Sequence, residues 1–189
     1  MSIPKPINSR VRLRPATLAD VPLFDRWDRQ PQVISATTDD PSAKKAFHDT
    51  CWTDELTRED EHSQYLIGEL DGRPIGAMQM IDPRLEITHY WGEIRPNLRA
   101  LDIWIGEPDC LGQGYGETMM RLAFKLCFAD ENVTAIVIDP LASNTRAHRF
   151  YRRLGFKAVE TQRFGDDDCL VHELTRDDWR GLFAEDSAR

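Results

Sequence analysis

The sequence predicts a mixed α/β fold whose central sheet is mostly antiparallel and flanked by helices, and three observations carry that reading. Two apolar runs, residues 65–70 and 74–81, flank an Asp71-Gly72 pair, the short-range signature of a tight antiparallel hairpin. A glycine-rich segment, Leu111-Gly112-Gln113-Gly114-Tyr115-Gly116, follows an apolar strand and opens an amphipathic helix. After it come strand, helix and a second hairpin, an order that a regular doubly wound sheet does not have.

The individual elements follow from periodicity. Val11–Pro15 alternates with period two and reads as an opening strand. A helix carrying Val21, Leu23, Phe24 and Trp27 comes next, with Asp20 as its expected N-cap and Pro22 in its first turn. Ala43, Ala46, Phe47, Cys51 and Trp52 fall at helical spacing, predicting a second helix over residues 42–56. A third apolar strand covers residues 100–106, whereas residues 87–98, with Trp91 and Ile94, fit either a strand end or a loop over the sheet. Met119, Leu122, Ala123 and Leu126 recur at i, i+3, i+4 and i+7 and predict a helix, starting near Glu117, that buries that stripe. Residues 133–138 form a short run of the kind buried on both faces. A further amphipathic helix spans residues 144–154, capped by Ser143 or Asn144 and ended by Gly155. Strands over 159–164 and 169–174 complete the sheet, and the acids Asp166, Asp167 and Asp168 between them read as a solvated turn.

At 189 residues and 41% hydrophobic composition the chain can build one core, so a single domain over residues 1–189 is expected, with its core at about 10–178. Acidic side chains outnumber basic ones by 32 to 24, giving a net charge of −8 that repels phosphate backbones and attracts cations. Nucleic acid is therefore not an expected partner, and a cationic ligand is. Cys51, Cys110, Cys127 and Cys169 form no C-x-x-C pair, and the five histidines show no ligand spacing, so no metal is expected. No run approaches the ~20 apolar residues that span a bilayer, so a soluble, cytoplasmic protein with no membrane partner is expected, as monomer or homodimer.

The glycine segment is the first chemical signal. Glycines at positions 112, 114 and 116 let successive backbone N–H groups converge on one anion at a helix N-terminus, which is the physics of a pyrophosphate cradle. A glycine-rich chain reversal has the same pattern. Spacing disfavours a dinucleotide fingerprint, since Glu117 stands where its third glycine would be, and a P-loop, since G-K-[ST] is absent. Asn144 and Tyr151 are seven residues apart, close to two helical turns, with Ala147 between them, so they share a helix face with a slot between. Equally, Asn144 could only cap and Tyr151 only pack. Asp102 interrupts an apolar strand and must reach solvent, a partner or a ligand, because an unpaired buried carboxylate is costly. Trp104 lies on the same strand face, as a core residue or as an aromatic plate for a cationic ring. Asp139 stands at a strand end, where open α/β sheets place ligand contacts.

Taken together, a strand, the loop 111–116 opening a helix, another strand, and Asn144 and Tyr151 on the next helix resemble motifs A and B of the GNAT acetyltransferases. The usual loop pattern is Q/R-x-x-G-x-G/A, and here Leu111 replaces the first residue, which removes that side chain's help but leaves the backbone cradle. Leu111, the string from Leu101-Asp102-Ile103-Trp104-Ile105 to Asp109, and Asp139-Pro140-x-x-Ser143-Asn144-x-Arg146-Ala147 look like the aminoglycoside 6′-N-acetyltransferase branch, over roughly residues 75–178. The resemblance implies a GNAT fold and acetyl-CoA as co-substrate, with no metal. It assigns acetyl-CoA to the backbone near Ile103, Trp104 and Ile105, to Leu111, Gly112, Gln113, Gly114, Tyr115, Gly116 and Glu117, and to Asn144 and Ala147. It assigns the acceptor amine to Asp102 and Asp139, beside which the aromatic reading of Trp104 adds a third acceptor contact, and it gives base chemistry to Asp102 and proton donation to the leaving thiolate to Tyr151. The implied reaction is direct transfer in a ternary complex; Cys110 suggests a covalent thiol route, but no histidine is placed to activate it. Another acceptor (an N-hydroxylysine or a protein amine), an acyl-CoA-binding module without turnover, and a nucleotide-binding Rossmann protein are the rival readings.

Overall fold

A computed structural model describes residues 7–48 and 50–183. Seven strands form one sheet in the order β1-β2-β3-β4-β5-β7-β6: β1 is Val11–Pro15, β2 Ser63–Leu70, β3 Arg73–Ile81, β4 Leu98–Ile105, β5 Ala135–Ile138, β6 Lys157–Phe164 and β7 Asp167–Thr175. All neighbours are antiparallel except β4 and β5. Between β2 and β3 the Asp71-Gly72 pair has φ of 51° and 82°, the double left-handed turn that matches strand twist.

Helices cover both faces. On one side α4 (Tyr115–Phe128), α5 (Thr145–Arg153) and α6 (Arg176–Leu182) bury Met119, Phe124, Tyr151 and Trp179 against Ile75, Met78, Leu101 and Ile136. On the other side α1 (Val21–Trp27), α2 (Pro31–Thr37) and α3 (Trp52–Thr57) pack Phe24, Trp27, Val33 and Trp52 onto Ile67, Ala77 and Trp104. Farther along that same face, the loop between β3 and β4 lays Trp91 over Ala100, Val137, Phe164 and Val171. A cleft is left between the helical cover and the loop cover. Gly106 seats α1 at the end of β4, since a Cβ there would lie 2.1 Å from the Trp27 ring. The Trp27 indole N–H donates to Glu107 beside it at 2.9 Å.

Several expectations are corrected. Residues 42–56 are not one helix: among the described residues there, helix begins only at Trp52, in α3, and α2 lies earlier, opened by Pro31 at its first position. The apolar spacing of Ala46 and Phe47 reflects anchoring, because their N–H groups donate to the Asp28 carbonyl at 2.8 Å and carboxylate at 2.9 Å. Asp20 is the N-cap residue of α1 as expected, but its side chain makes no capping hydrogen bond there. Instead it sits in a 3₁₀ turn, Leu18–Asp20, where it accepts the Thr17 N–H and is held by Arg14 at 2.7 Å. In α4 the buried stripe runs through Met119, Met120, Ala123, Phe124, Cys127 and Phe128, while Leu126 is exposed, because the helix is apolar over more than one stripe. Among the described residues no helix is long and apolar enough to cross a membrane.

Candidate active site

The site begins where the sheet parts. β4 and β5 pair in parallel through only Leu98, Arg99 and Ala100, facing Ala135, Ile136 and Val137. β5 then stops at Ile138 before Asp139-Pro140, since proline cannot donate to a ladder, while β4 continues to Ile105. The free edge can be read from register. Gly106 donates to Ile75, and the antiparallel register pairs Trp104 with Ala77 and Asp102 with Gln79. By alternation the backbone groups of Asp102 and Trp104 face β3, and those of Leu101, Ile103 and Ile105 face the parting. Of the three strand residues assigned to the co-substrate, Ile103 and Ile105 thus retain open backbone and Trp104 does not.

The glycine loop lies just past the end of β4. Gly112 and Gly114 have φ of 73° and 83°, and Gly114 is the N-cap of α4. A Cβ at either would meet nothing of the protein within 4 Å, so these glycines are required by backbone conformation and by whatever approaches the loop. Gly116 differs: the helix starts at Tyr115 rather than near Glu117, so Tyr115, Gly116 and Glu117 form its first turn. The Thr118 N–H donates to the Gly114 carbonyl at 3.2 Å, so the amides before it in the first turn point outward at the positive end of a 14-residue helix. Gly116 also ties the loop to the site, its Cβ position lying 3.9 Å from Ile103 and Ile105 and 3.7 Å from Phe150. Leu111 is half-buried and Gln113 exposed.

The main cleft, of about 1060 Å³, brings Asp102, Ile103, Trp104, Asp139, Asn144 and Tyr151 together; the glycine loop, Ile105 and Ala147 are not among its walls. Asp102 is the electrostatic centre. Loss of solvent, followed by the neighbouring charge of Asp139, pushes its carboxyl up to about 7. Asp139 is raised too, by burial, against a hydrogen bond from the Tyr90 hydroxyl at 2.7 Å that favours its ionised form. Tyr151 is 9% exposed, and burial, Asp102 and Asp139 all raise its phenol. It packs on Phe156 and also lines the cleft. Asn144 lines the cleft too, while its Oδ1 caps α5 by accepting the Ala147 N–H at 3.0 Å.

Trp104 is not an open plate. Phe47 and Trp52 pack against its ring at 4.9 and 6.2 Å, leaving it 7% exposed as cleft floor. The exposed ring is Tyr90, which sequence reasoning missed inside the undecided loop; a Tyr-Trp pair in a polar segment was its only signal. The hairpin acids also do more than meet solvent. Asp166 and Asp167 line the cleft with Asp39 and Asp60, and Arg58 is the one arginine among the described lining residues, paired with Glu55 at 2.9 Å. Ser143 donates to Asp39 at 2.7 Å, and the Asp39 N–H to Asp167 at 3.2 Å, drawing two loops and the start of β7 together at the rim. Cys110 is 4% exposed, outside the cleft, with its thiol raised by burial and by Asp109, the opposite of an activated nucleophile.

A parted mixed sheet with a glycine-capped helix at the parting defines a GNAT-type framework. The chain belongs to the acetyltransferase (GNAT) domain family, which its residues 16–164 match. It is 33% identical over 111 residues to an aminoglycoside N(6′)-acetyltransferase type 1 of Klebsiella pneumoniae, covering 58% of this chain and 55% of that protein. The chain thus spans about half the length of that curated relative. A kanamycin resistance protein of Rhizobium radiobacter is 34% identical over 93 residues, 49% of this chain and 86% of that one. Among solved structures, aminoglycoside acetyltransferase AAC(6')-Ib in complex with coenzyme A and kanamycin superposes with a TM-score of 0.75 at 26% identity, covering 90% of this chain and 98% of that chain.

Proposed function

We propose that this protein is an acetyl-CoA-dependent N-acetyltransferase acting on a primary amine of a small polycation, with an aminoglycoside 6′-amine as the acceptor, by direct transfer in a ternary complex within a single domain. The observation that carries the reading is the half-buried Asp102 and Asp139, brought together in the cleft beside a strand edge with open backbone. A carboxyl raised toward neutrality can accept a proton at working pH, and a second carboxyl beside it, hydrogen-bonded by a neutral phenol, can pair with an ammonium group. The relatives support the acceptor class, since one is named for the aminoglycoside 6′ position and a structural neighbour binds kanamycin and coenzyme A.

The residues fit the co-substrate. Outward amides of the α4 first turn and the left-handed glycines suit a pyrophosphate, while the parting beside Ile103 and Ile105 suits an extended amide-bearing arm that pairs as a strand would. When bound there, acetyl-CoA supplies the activated acetyl thioester. A neutral amine forms the new N–C bond while the C–S bond breaks; Asp102 takes the nitrogen's proton and Tyr151 gives one to the departing thiolate. An Ile103 or Ile105 N–H stabilises charge on the carbonyl oxygen.

Thiol release from acetyl-CoA across an amine panel tests this. Kanamycin is expected to react, a 6′-hydroxyl analogue not, and the acceptor KM is expected to rise with salt as the Debye length shrinks to ~8 Å. Equal release with both sugars, or release only with a peptide amine, overturns the acceptor assignment.

The cradle has its own test. Gly114→Val places a β-branched residue at a φ of 83° without clashing with the protein. Calorimetry is expected to show a folded variant with coenzyme A affinity at least about tenfold weaker, roughly 1.4 kcal/mol. Unchanged affinity would remove the loop from the binding site.

A further inference from the structure

Tyr90 has no role in the chemistry above, yet three contacts fix it. Its backbone N–H donates to Glu86 Oε1 at 2.7 Å, while Oε2 of that same carboxylate accepts the Thr88 N–H and hydroxyl, each at 2.6 Å. Glu86 is 4% exposed, so the turn is built around a buried acid whose acceptors are taken by the loop itself. The Tyr90 ring lies flat on Phe164, with centroids 4.6 Å and planes 11° apart, and Trp91 meets Phe164 edge-on at 5.2 Å. Its hydroxyl then donates to Asp139 Oδ2 at 2.7 Å, while half of the residue's surface stays open on the cleft.

The nature of the donor matters. Asp139 lies where β5 has ended, so no strand neighbour orients its side chain. An arginine or lysine bonded to it would fix it but cancel its charge. A phenol fixes one oxygen, stays neutral, and leaves the full anion with lone pairs for another donor. Burial alone raises the Asp139 carboxyl, and the phenol's bond works against that rise.

We propose that Tyr90 is a positioning residue that holds Asp139 as an anionic seat for one ammonium group of the acceptor, acting on acceptor binding rather than on the transfer step. The loop from Asp82 to Asn97 is then a specificity element, with Glu86 setting its backbone and Phe164 the plane of the ring. This rests on the cationic-acceptor reading above.

The test compares wild type, Tyr90→Phe, Asp139→Ala and the double variant in steady-state thiol release with kanamycin and acetyl-CoA. Tyr90→Phe keeps the stacked ring and removes only the hydroxyl. Its acceptor KM is expected to rise about tenfold, with kcat within about twofold and the acetyl-CoA KM unchanged, because Asp139 loses the bond that orients it toward a bound cation. In the Asp139→Ala background the same change is expected to add nothing. An unchanged acceptor KM in Tyr90→Phe, a loss confined to kcat, or an equal further loss in the Asp139→Ala background overturns the proposal while wild-type turnover leaves the acetyl-transfer reading standing. Absence of thiol release by wild type with every amine overturns both.

Discussion

Asp102→Asn is expected to lower kcat/KM for the acceptor by about 10²- to 10³-fold, the contribution of a general base that also carries negative charge beside the incoming cation. The direction of its pH dependence follows from the raised carboxyl. Only the ionised form accepts a proton, so wild-type activity is expected to fall as pH drops through about 7, and the variant is expected to lose that limb. Stability runs the other way. A carboxyl raised in the folded state above its unfolded value stabilises the fold at low pH, and that contribution is lost as pH rises through the folded pKa. Above neutrality the wild type therefore carries an ionised, desolvated Asp102 that the asparagine variant does not. Thermal melts at pH 8 are expected to show the variant at least as stable as wild type while far less active. A variant that melts earlier and keeps its acidic limb would show that Asp102 is structural.

Tyr151→Phe is expected to reduce kcat by about 10²-fold with little change in coenzyme A affinity, because a proton donor to the leaving thiolate acts in the transition state. The environment supports a donor: burial and the nearby carboxylates hold the phenol protonated across the working range, and the ring packing on Phe156 is kept by phenylalanine. Pre-steady-state mixing with acetyl-CoA and kanamycin separates transfer from release. A turnover within about a factor of two of wild type would assign the proton to water or another group.

What the sequence made legible was local. The Asp71-Gly72 turn and the Asn144 cap with Gly155 at φ 92° follow from interactions within a few residues, and the short apolar run of β5 marks a strand buried on both faces; all are present. The glycine loop was legible as a helix-opening segment, though not that Gly116 belongs to the helix. What escaped depends on contacts distant in sequence. Ala46 and Phe47 are anchored by Asp28, and the undecided loop takes its shape from Glu86 and from stacking on Phe164, some seventy positions away. A run of acids at 166–168 has a solvated composition wherever it lies, and only the closing of β6 onto β7 shows that two of them border the cleft. Trp104 had both readings open because period two fixes a face but not what covers it.

The three-residue parallel seam between β4 and β5 also bears on the durability of the protein. β1 to β4 form one ladder and β5 to β7 another, so a molecule lying in the parting would act as a bridging strand between two half-sheets. Occupancy and folding would then be linked: at a hundred times its dissociation constant such a molecule adds about 2.7 kcal/mol to the native state. The supply of such a molecule would thereby set what fraction of the chain stays folded.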